Sequence, residues 1–501
     1  MRHRKLLPPA ALALSSVLAL TGCFAASADG SGKASGGERI RVAMMNPPRS
    51  GLSPLSDDAF KLSRWSTAET LVTLDEEGDA EPALATRWKR TDERTWTFTL
   101  REGVTFHDGT PLTARAAVRS LTEAATASPK PRILDGVDFK AEAGTGAEGD
   151  TVVVTTGEPD PLVPQRLSSP QLSVLAAKAY RGSTVDPVGA GTGAFVLKKA
   201  DGTSSATLDR NEKYWGGRAR AAGIDVTFVP DGAARAAALR SGDADIVEAI
   251  PVSQASLLEK DQITEVPMPR TNTLYLNTAH GVFKDAGQRA AAREAIDADA
   301  LVDDIYEGRA DTAEGLLGPA LPWAAERAGR TRAAEPAKPS GDTVTIGTFT
   351  DRAELPEVAA TLQQQLKKAG FEVKLEVREY AAIEADALAG KFDAFVLSRA
   401  TVIDSGDPAA YLRSDFAGDG SFNISRLADP VVDKAVRTAE ETTSGAARRA
   451  AVLDAETAIL NTDAAIPMLH ERVIQGDATN VVGSAKDPRE RELITLDTYV
   501  K

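Results

Sequence analysis

At 501 residues the chain is long enough to form two or three domains with substantial cores. Acidic residues outnumber basic ones 72 to 58, a net charge of −14, which repels a nucleic-acid backbone over most of the surface and excludes DNA or RNA as the expected partner. Cys23 is the single cysteine, so no internal disulfide and no cysteine-rich zinc site can form.

The chain opens with Arg2, Arg4 and Lys5, followed by an apolar run over residues 6–20. That run has signal-peptide length and falls short of the ~20 apolar residues that span a bilayer. Residues 1–22 are therefore expected to be a cleaved export signal. The run closes on Leu20-Thr21-Gly22-Cys23, which resembles the bacterial lipobox, so Cys23 is expected to become the lipidated first residue of the mature chain. Cleavage there removes three basic residues and no acidic one, which takes the net charge from −14 to −17. Residues 23–38, rich in Ala, Ser and Gly, read as the lipidated cysteine and a flexible tether. The expected location is extracytoplasmic, at the cell membrane.

From residue 40 onward, strand and helix patterns alternate. Residues 95–100 alternate in a Thr/Trp/Phe pattern and, with 104–106 after Gly103, predict a hairpin in a small subdomain over about 60–165. A β-branched run at 224–229, a helical stretch at 233–239, Gly242 as a stop and Asp245-Ile246-Val247 make a strand, helix, strand unit. The unit recurs as 371–377, 381–388, Gly390 and 393–397, each copy placing an Asp three residues after the Gly. The second copy is preceded by a strand at 344–349 and an amphipathic helix at 354–369, with Val358, Leu362 and Leu366 on one face. Residues 343–397 thus read as βαβαβ with a parallel sheet. Two such α/β units predict two lobes with a cleft beyond the carboxyl ends of their strands.

The run Glu81-Pro82-Ala83-Leu84-Ala85 with Trp88, and the stretch from Trp96-Thr97-Phe98-Thr99-Leu100 through Gly103-Val104-Thr105-Phe106-His107-Asp108-Gly109-Thr110-Pro111-Leu112-Thr113-Ala114, resemble the signature of the family 5 extracellular solute-binding proteins. These are the peptide, nickel and opine receptors of ATP-binding-cassette importers. Gly191-Thr192-Gly193, Tyr214-Trp215-Gly216-Gly217 and Ser241-Gly242-Asp243-Ala244-Asp245-Ile246 extend the match in order. Departures are Ala194 where Pro is usual and Arg115-Ala116-Ala117-Val118 without the common acidic residue. The resemblance implies an α/β, two-lobed periplasmic-binding-protein-like fold (type II, cluster C) with an extra small subdomain. The expected lobes are 39–268 plus 472–501, and 269–471, with hinges near 267–271 and 470–475. It further implies a monomer that closes on a small solute, most simply a short peptide, and delivers it to permease subunits. A nickel or opine-type chelate is the alternative, and an exported lipid-anchored enzyme or scaffold is a second.

Against the enzyme stands the lack of a G-x-S-x-G elbow, an H-E-x-x-H motif, a Walker loop or a nucleophilic cysteine. The glycines at 189–193 lead into Ala194-Phe195-Val196-Leu197, a strand pattern where a dinucleotide fingerprint needs a helix. No cofactor is expected. His107, His280 and His470 lack metal-ligand spacing and read as structural, as do Trp88, Trp96, Tyr214 and Trp215. Met45 and Asn46, after the first strand, are expected to close over the ligand. The resemblance assigns the peptide's α-amino group to Asp404, in Val402-Ile403-Asp404-Ser405-Gly406-Asp407-Pro408, and its carboxylate to Arg352.

Overall fold

The computed structural model of the protein describes residues 38–501 apart from 135, 145–149, 183, 332–333, 340, 353, 403–404 and 444. The export signal, Cys23 and nearly all of the tether lie outside the described residues. Among those described, no helix is long and apolar enough to cross a membrane.

An eleven-stranded mixed sheet forms the backbone of the fold. At one end, Thr343–Phe349 runs parallel to both Glu372–Arg378 and Ala394–Ala400, with helices Glu354–Ala369 and Tyr380–Leu388 as the crossovers. This is the βαβαβ unit the sequence predicts. Toward the other end, Arg39–Met44 runs parallel to Gly223–Phe228 and Ile246–Val247, with helix Gly232–Ser241 as crossover. Asp231 caps that helix through Ala234 N–H, and Gly242, at φ 77°, closes it. The Asp that follows each stop has a defined task. Asp245 donates its N–H to Arg41 O and accepts Arg41 N–H on its carboxylate, both at 2.8 Å; Asp393 does the same to Thr345, at 3.1 and 2.9 Å. Each pair pins the returning strand to the first strand of its group, which explains the shared Gly-to-Asp spacing.

Two long antiparallel strands, Ile263–Leu276 and Ala465–Asp477, join the parallel groups. Ala465–Asp477 also pairs with Ile246–Val247, and Ile263–Leu276 with Ala394–Ala400, so the sheet is continuous from one group to the other. Apolar side chains gather on either side of this junction. One core joins Val358, Leu362 and Leu366 of the amphipathic helix to Val344, Ile346 and Phe395; the other joins Ile40, Val42, Ile224 and Val226 to the C-terminal Leu493 and Ile494. Burying a Leu or Ile side chain stabilises by ~1.5–3 kcal/mol, so each core holds its own group of strands together.

The second core also includes Phe98, Leu100 and Leu121, from a four-stranded antiparallel sheet and helix Ala114–Thr126. Here the structure corrects the predicted hairpin. Thr95–Leu100 pairs with Ala85–Arg90 and with Thr151–Thr156, not with 104–106. Gly103, at φ 76°, turns the chain away, after which Thr105 makes a single bridge to Pro111 while Val104 and Phe106 bury. The signature aromatics pack as expected: Trp88 stacks on Phe98 at 6.1 Å, Trp96 Nε1 donates to Asp160 O at 3.0 Å, and Tyr214 and Trp215 both donate to Glu69. Gly191 and Gly193 lie so close to the backbone at Thr67 and Ser66 that a Cβ would approach those carbonyl oxygens to 1.9 and 2.2 Å. Close chain packing, not phosphate binding, accounts for these glycines.

A hairpin of Val72–Leu74 and Ala80–Pro82 projects from the core built around Arg39–Met44 and meets residues attached to the other core. At its tip Asp79 pairs with Arg449 at 2.6 Å and accepts Gly445 N–H at 3.0 Å, while Glu77 O accepts Trp323 Nε1–H at 3.0 Å.

Candidate functional site

Two adjoining cavities of about 450 and 490 Å³ lie where the two groups of strands meet, and they share Asn46, Arg64, Glu248, Met268, Arg270 and Glu490 in their walls. The volumes are those of small-molecule sites. The walls come from the carboxyl ends of parallel strands on both sides, as expected for this architecture. Arg39–Met44 delivers Met45 and Asn46, Ile246–Val247 delivers Glu248, Thr343–Phe349 leads to Arg352, and Ala394–Ala400 leads to Val402. A β-bulge supplies a further part. Pairing between the long strands shifts register between Pro267 and Thr271, so Met268, Pro269 and Arg270 leave that ladder and line the cavities. The C-terminal stretch 487–493 closes the remaining side.

Arg64, at the end of helix Ala59–Arg64, organises the shared wall. It pairs with Glu248, reaches Glu490 Oε1 at 2.8 Å and donates its Nε–H to Glu490 O at 2.7 Å. Burial opposes the charge, but the two carboxylates outweigh it and hold the guanidinium above its ordinary pKa. Glu248 in turn accepts Met45 N–H at 3.0 Å, which fixes the backbone entering Asn46. On the facing side Glu471 accepts from Arg352 at 3.0 Å, from Asn272 at 2.8 Å and from Ser398. Arg270 donates to Ser398 O at 3.2 Å, but its buried Nε has no acceptor, and Glu471 stands 3.9 Å from it. Burial first, and then the neighbouring Arg352, push its pKa below the ordinary guanidinium value.

The two cavities differ in charge. The smaller is walled by Arg49, Lys61, Arg64, Arg132, Arg270, Arg489 and Arg491 against Asp57, Asp58, Glu248 and Glu490. The larger has Arg64, Arg270, Arg352 and Arg472 against Glu248, Glu354, Glu471, Asp487, Glu490 and Glu492. The cleft therefore runs from a cationic end to an anionic end.

Of the residues the sequence singles out, Met45, Asn46 and Arg352 all line the larger cavity, and Asn46 lines both. Asp404 lies outside the described residues; its neighbours Val402 and Gly406 line the cationic cavity. Sequence reasoning missed Arg64, Glu248, Arg270, Glu471 and Glu490. Glu248 was findable, because it follows a strand of the same parallel group as Met45. His107, His280 and His470 line neither cavity and bond to Gly193 O, to Asn277 and Gly390 O, and to Thr271. Among the described residues no group of three or more His, Cys, Asp or Glu is placed to hold a metal ion.

A family model, bacterial extracellular solute-binding proteins, family 5 middle, matches residues 79–423. The chain belongs to this family. As a family 5 solute-binding protein it is a transport receptor and not an enzyme, which sets aside the exported-enzyme alternative. Among relatives, protein XP55 of Streptomyces lividans is 31% identical over 425 residues, covering 78% of this chain and 76% of the relative. The probable D,D-dipeptide-binding periplasmic protein DdpA of Escherichia coli is 26% identical over 468 residues, 88% of both chains. Among solved structures, a nickel ABC transporter protein from Bacillus halodurans superposes with a TM-score of 0.81 at 27% identity, covering 92% of this receptor and 100% of that chain. The mixed α/β periplasmic-binding-protein fold is thus shared, with the antiparallel sheet as its addition.

Proposed function

We propose that this solute-binding protein is the lipid-anchored receptor of an ATP-binding-cassette importer, and that it captures a short peptide in the cleft and hands it to the permease. One observation carries the peptide reading: the cleft walls present guanidinium and carboxylate groups together, so the ammonium and the carboxylate of a zwitterion can each meet an opposite charge. The dipeptide-binding relative agrees with this, and the nickel-transporter likeness keeps a metal chelate as the second reading. In the proposed cycle residues 39–268 with 472–501 form one lobe and 269–471 the other. They close about the crossings near 267–271 and 470–475, where the long strands pass between the cores. Met45, Asn46 and Arg352 contact the cargo from opposite sides, and Asp404 takes its α-amino group by a charge-assisted hydrogen bond.

Replacing Asp404 with Asn is expected to weaken binding of a zwitterionic tripeptide by about 1.5–3 kcal/mol, the range for hydrogen bonds to charged groups. Titration calorimetry on the folded variant checks it. Unchanged affinity would place the amine elsewhere, at the anionic cavity, where Glu471→Gln then becomes the variant that weakens binding.

Lipid attachment through Cys23 accounts for the lone cysteine behind a lipobox-like run. Cys23→Ala is expected to move the receptor into the soluble fraction with its thermal unfolding unchanged. A variant that stays in washed membranes would rule out the lipid anchor.

A further inference from the structure

The wall of the cationic cavity holds more positive charge than its own carboxylates neutralise. Asp58 is taken by Lys61 at 3.0 Å, Asp57 by Arg132 at 3.2 Å, and both Glu248 and Glu490 by Arg64. Arg49 and Arg270 share that wall, and among the described residues neither has a carboxylate within hydrogen-bond reach. The backbone that carries each is held in place. The backbone N–H of Arg49 is held by Asp58 at 3.0 Å, while Arg270 sits on the bulge with its Nε buried and without an acceptor. Seven cations of that wall thus face four carboxylates.

A half-buried guanidinium with an unused donor bears a desolvation cost, which an acceptor with two coplanar oxygens relieves best. A plain zwitterion brings one carboxylate and one ammonium group, so it leaves the surplus in place. The chain's overall negative charge does not overrule this, since charges beyond the ~8 Å Debye length are screened while the cavity wall is in direct contact. We propose that the cleft selects cargo carrying more than one carboxylate, such as a peptide with an acidic side chain, and that Arg270 and Arg49 read the additional carboxylate. The inference rests on the cleft being the cargo site and, in its peptide form, on the reading above.

The test titrates the mature protein with Ala-Glu-Ala and with Ala-Gln-Ala, which differ only in the side-chain charge. The acidic peptide is expected to bind at least about tenfold more tightly, the equivalent of ~1.4 kcal/mol. That preference should fall below about threefold in Arg270→Gln, survive in part in Arg270→Lys, and shrink in Arg49→Gln, an exposed position where folding is not at stake. Equal binding of the two peptides to the wild type overturns the inference and leaves the peptide reading standing, and so does a preference that persists in both Gln variants. If neither peptide binds, the peptide reading fails and the nickel–citrate complex becomes the probe. Binding that weakens about tenfold in Arg270→Gln or Arg49→Gln then upholds the selection for polycarboxylates, and absent or unaltered binding overturns it.

Discussion

Arg64→Met is expected to cost about 3 kcal/mol of stability, because it strands Glu248 without its counter-charge at a site where the carboxylate side chain is only 12% exposed. The value sits at the low end for broken buried pairs because the second partner, Glu490, is 42% exposed and can hydrate. Denaturant unfolding of the wild type, Arg64→Met, Glu248→Gln and the double variant measures it. In the double variant much of the loss should return, since no isolated charge remains. Additive losses would mean that Arg64 acts by packing alone. The single variant should also loosen the Met45 backbone, which reaches Arg64 only through Glu248.

The second large effect is a pH dependence at His470. Burial first, then the positive charge of Arg327, lower its pKa from 6.5 to about 4, with Asp311 opposing. The ring lies against Gly318, where a Cβ would come within 2.5 Å, and Nδ1 meets Thr271 Oγ1 at 2.9 Å. Above pH 6.5 the imidazole is neutral in both folded and unfolded chains, and its contribution is fully present. As pH falls toward 4 the unfolded chain takes up the proton and the folded chain does not, so stability declines by about 1.4 kcal/mol per unit, about 3 kcal/mol in total. Unfolding curves between pH 7 and 4 should therefore be flatter by that amount in His470→Asn than in the wild type. Parallel curves would remove His470 as the source.

Where local pattern and tertiary role coincide, the fold was legible. Helix Glu354–Ala369 was read at its true bounds because one apolar face, Val358, Leu362 and Leu366, is also the face that buries. The long strands were not read as strands, although they join the whole sheet. Pro267, Pro269 and Pro467 interrupt their patterns, and proline in a central strand argues against it; the structure accommodates the first two beside a bulge. The same bulge hid Arg270, since its exit from the ladder is a tertiary event without a local signature. Arg64 and Glu490 lie 426 residues apart in the chain, and no window on the sequence brings them together. Met45, Asn46 and Arg352 line the larger cavity because the strand-end rule needs only the strands to be right.

The hairpin tip at Asp79 touches Arg449, Gly445 and, through Glu77, Trp323, none of which lines either cavity, while Asp75 O in its turn accepts from Arg489 of the cationic wall. In the proposed closing cycle, such contacts would weigh on the closed population without meeting the solute. In that cycle their effect on apparent affinity would be one multiplying factor, the fraction of molecules competent to hold cargo, the same for every cargo. Strengthening the tip would tighten binding across the board and slow unloading, while weakening it would do the reverse. On the proposed cycle, side chains in the cleft would set which solute is chosen, and the turn beside it would set how long any solute is kept.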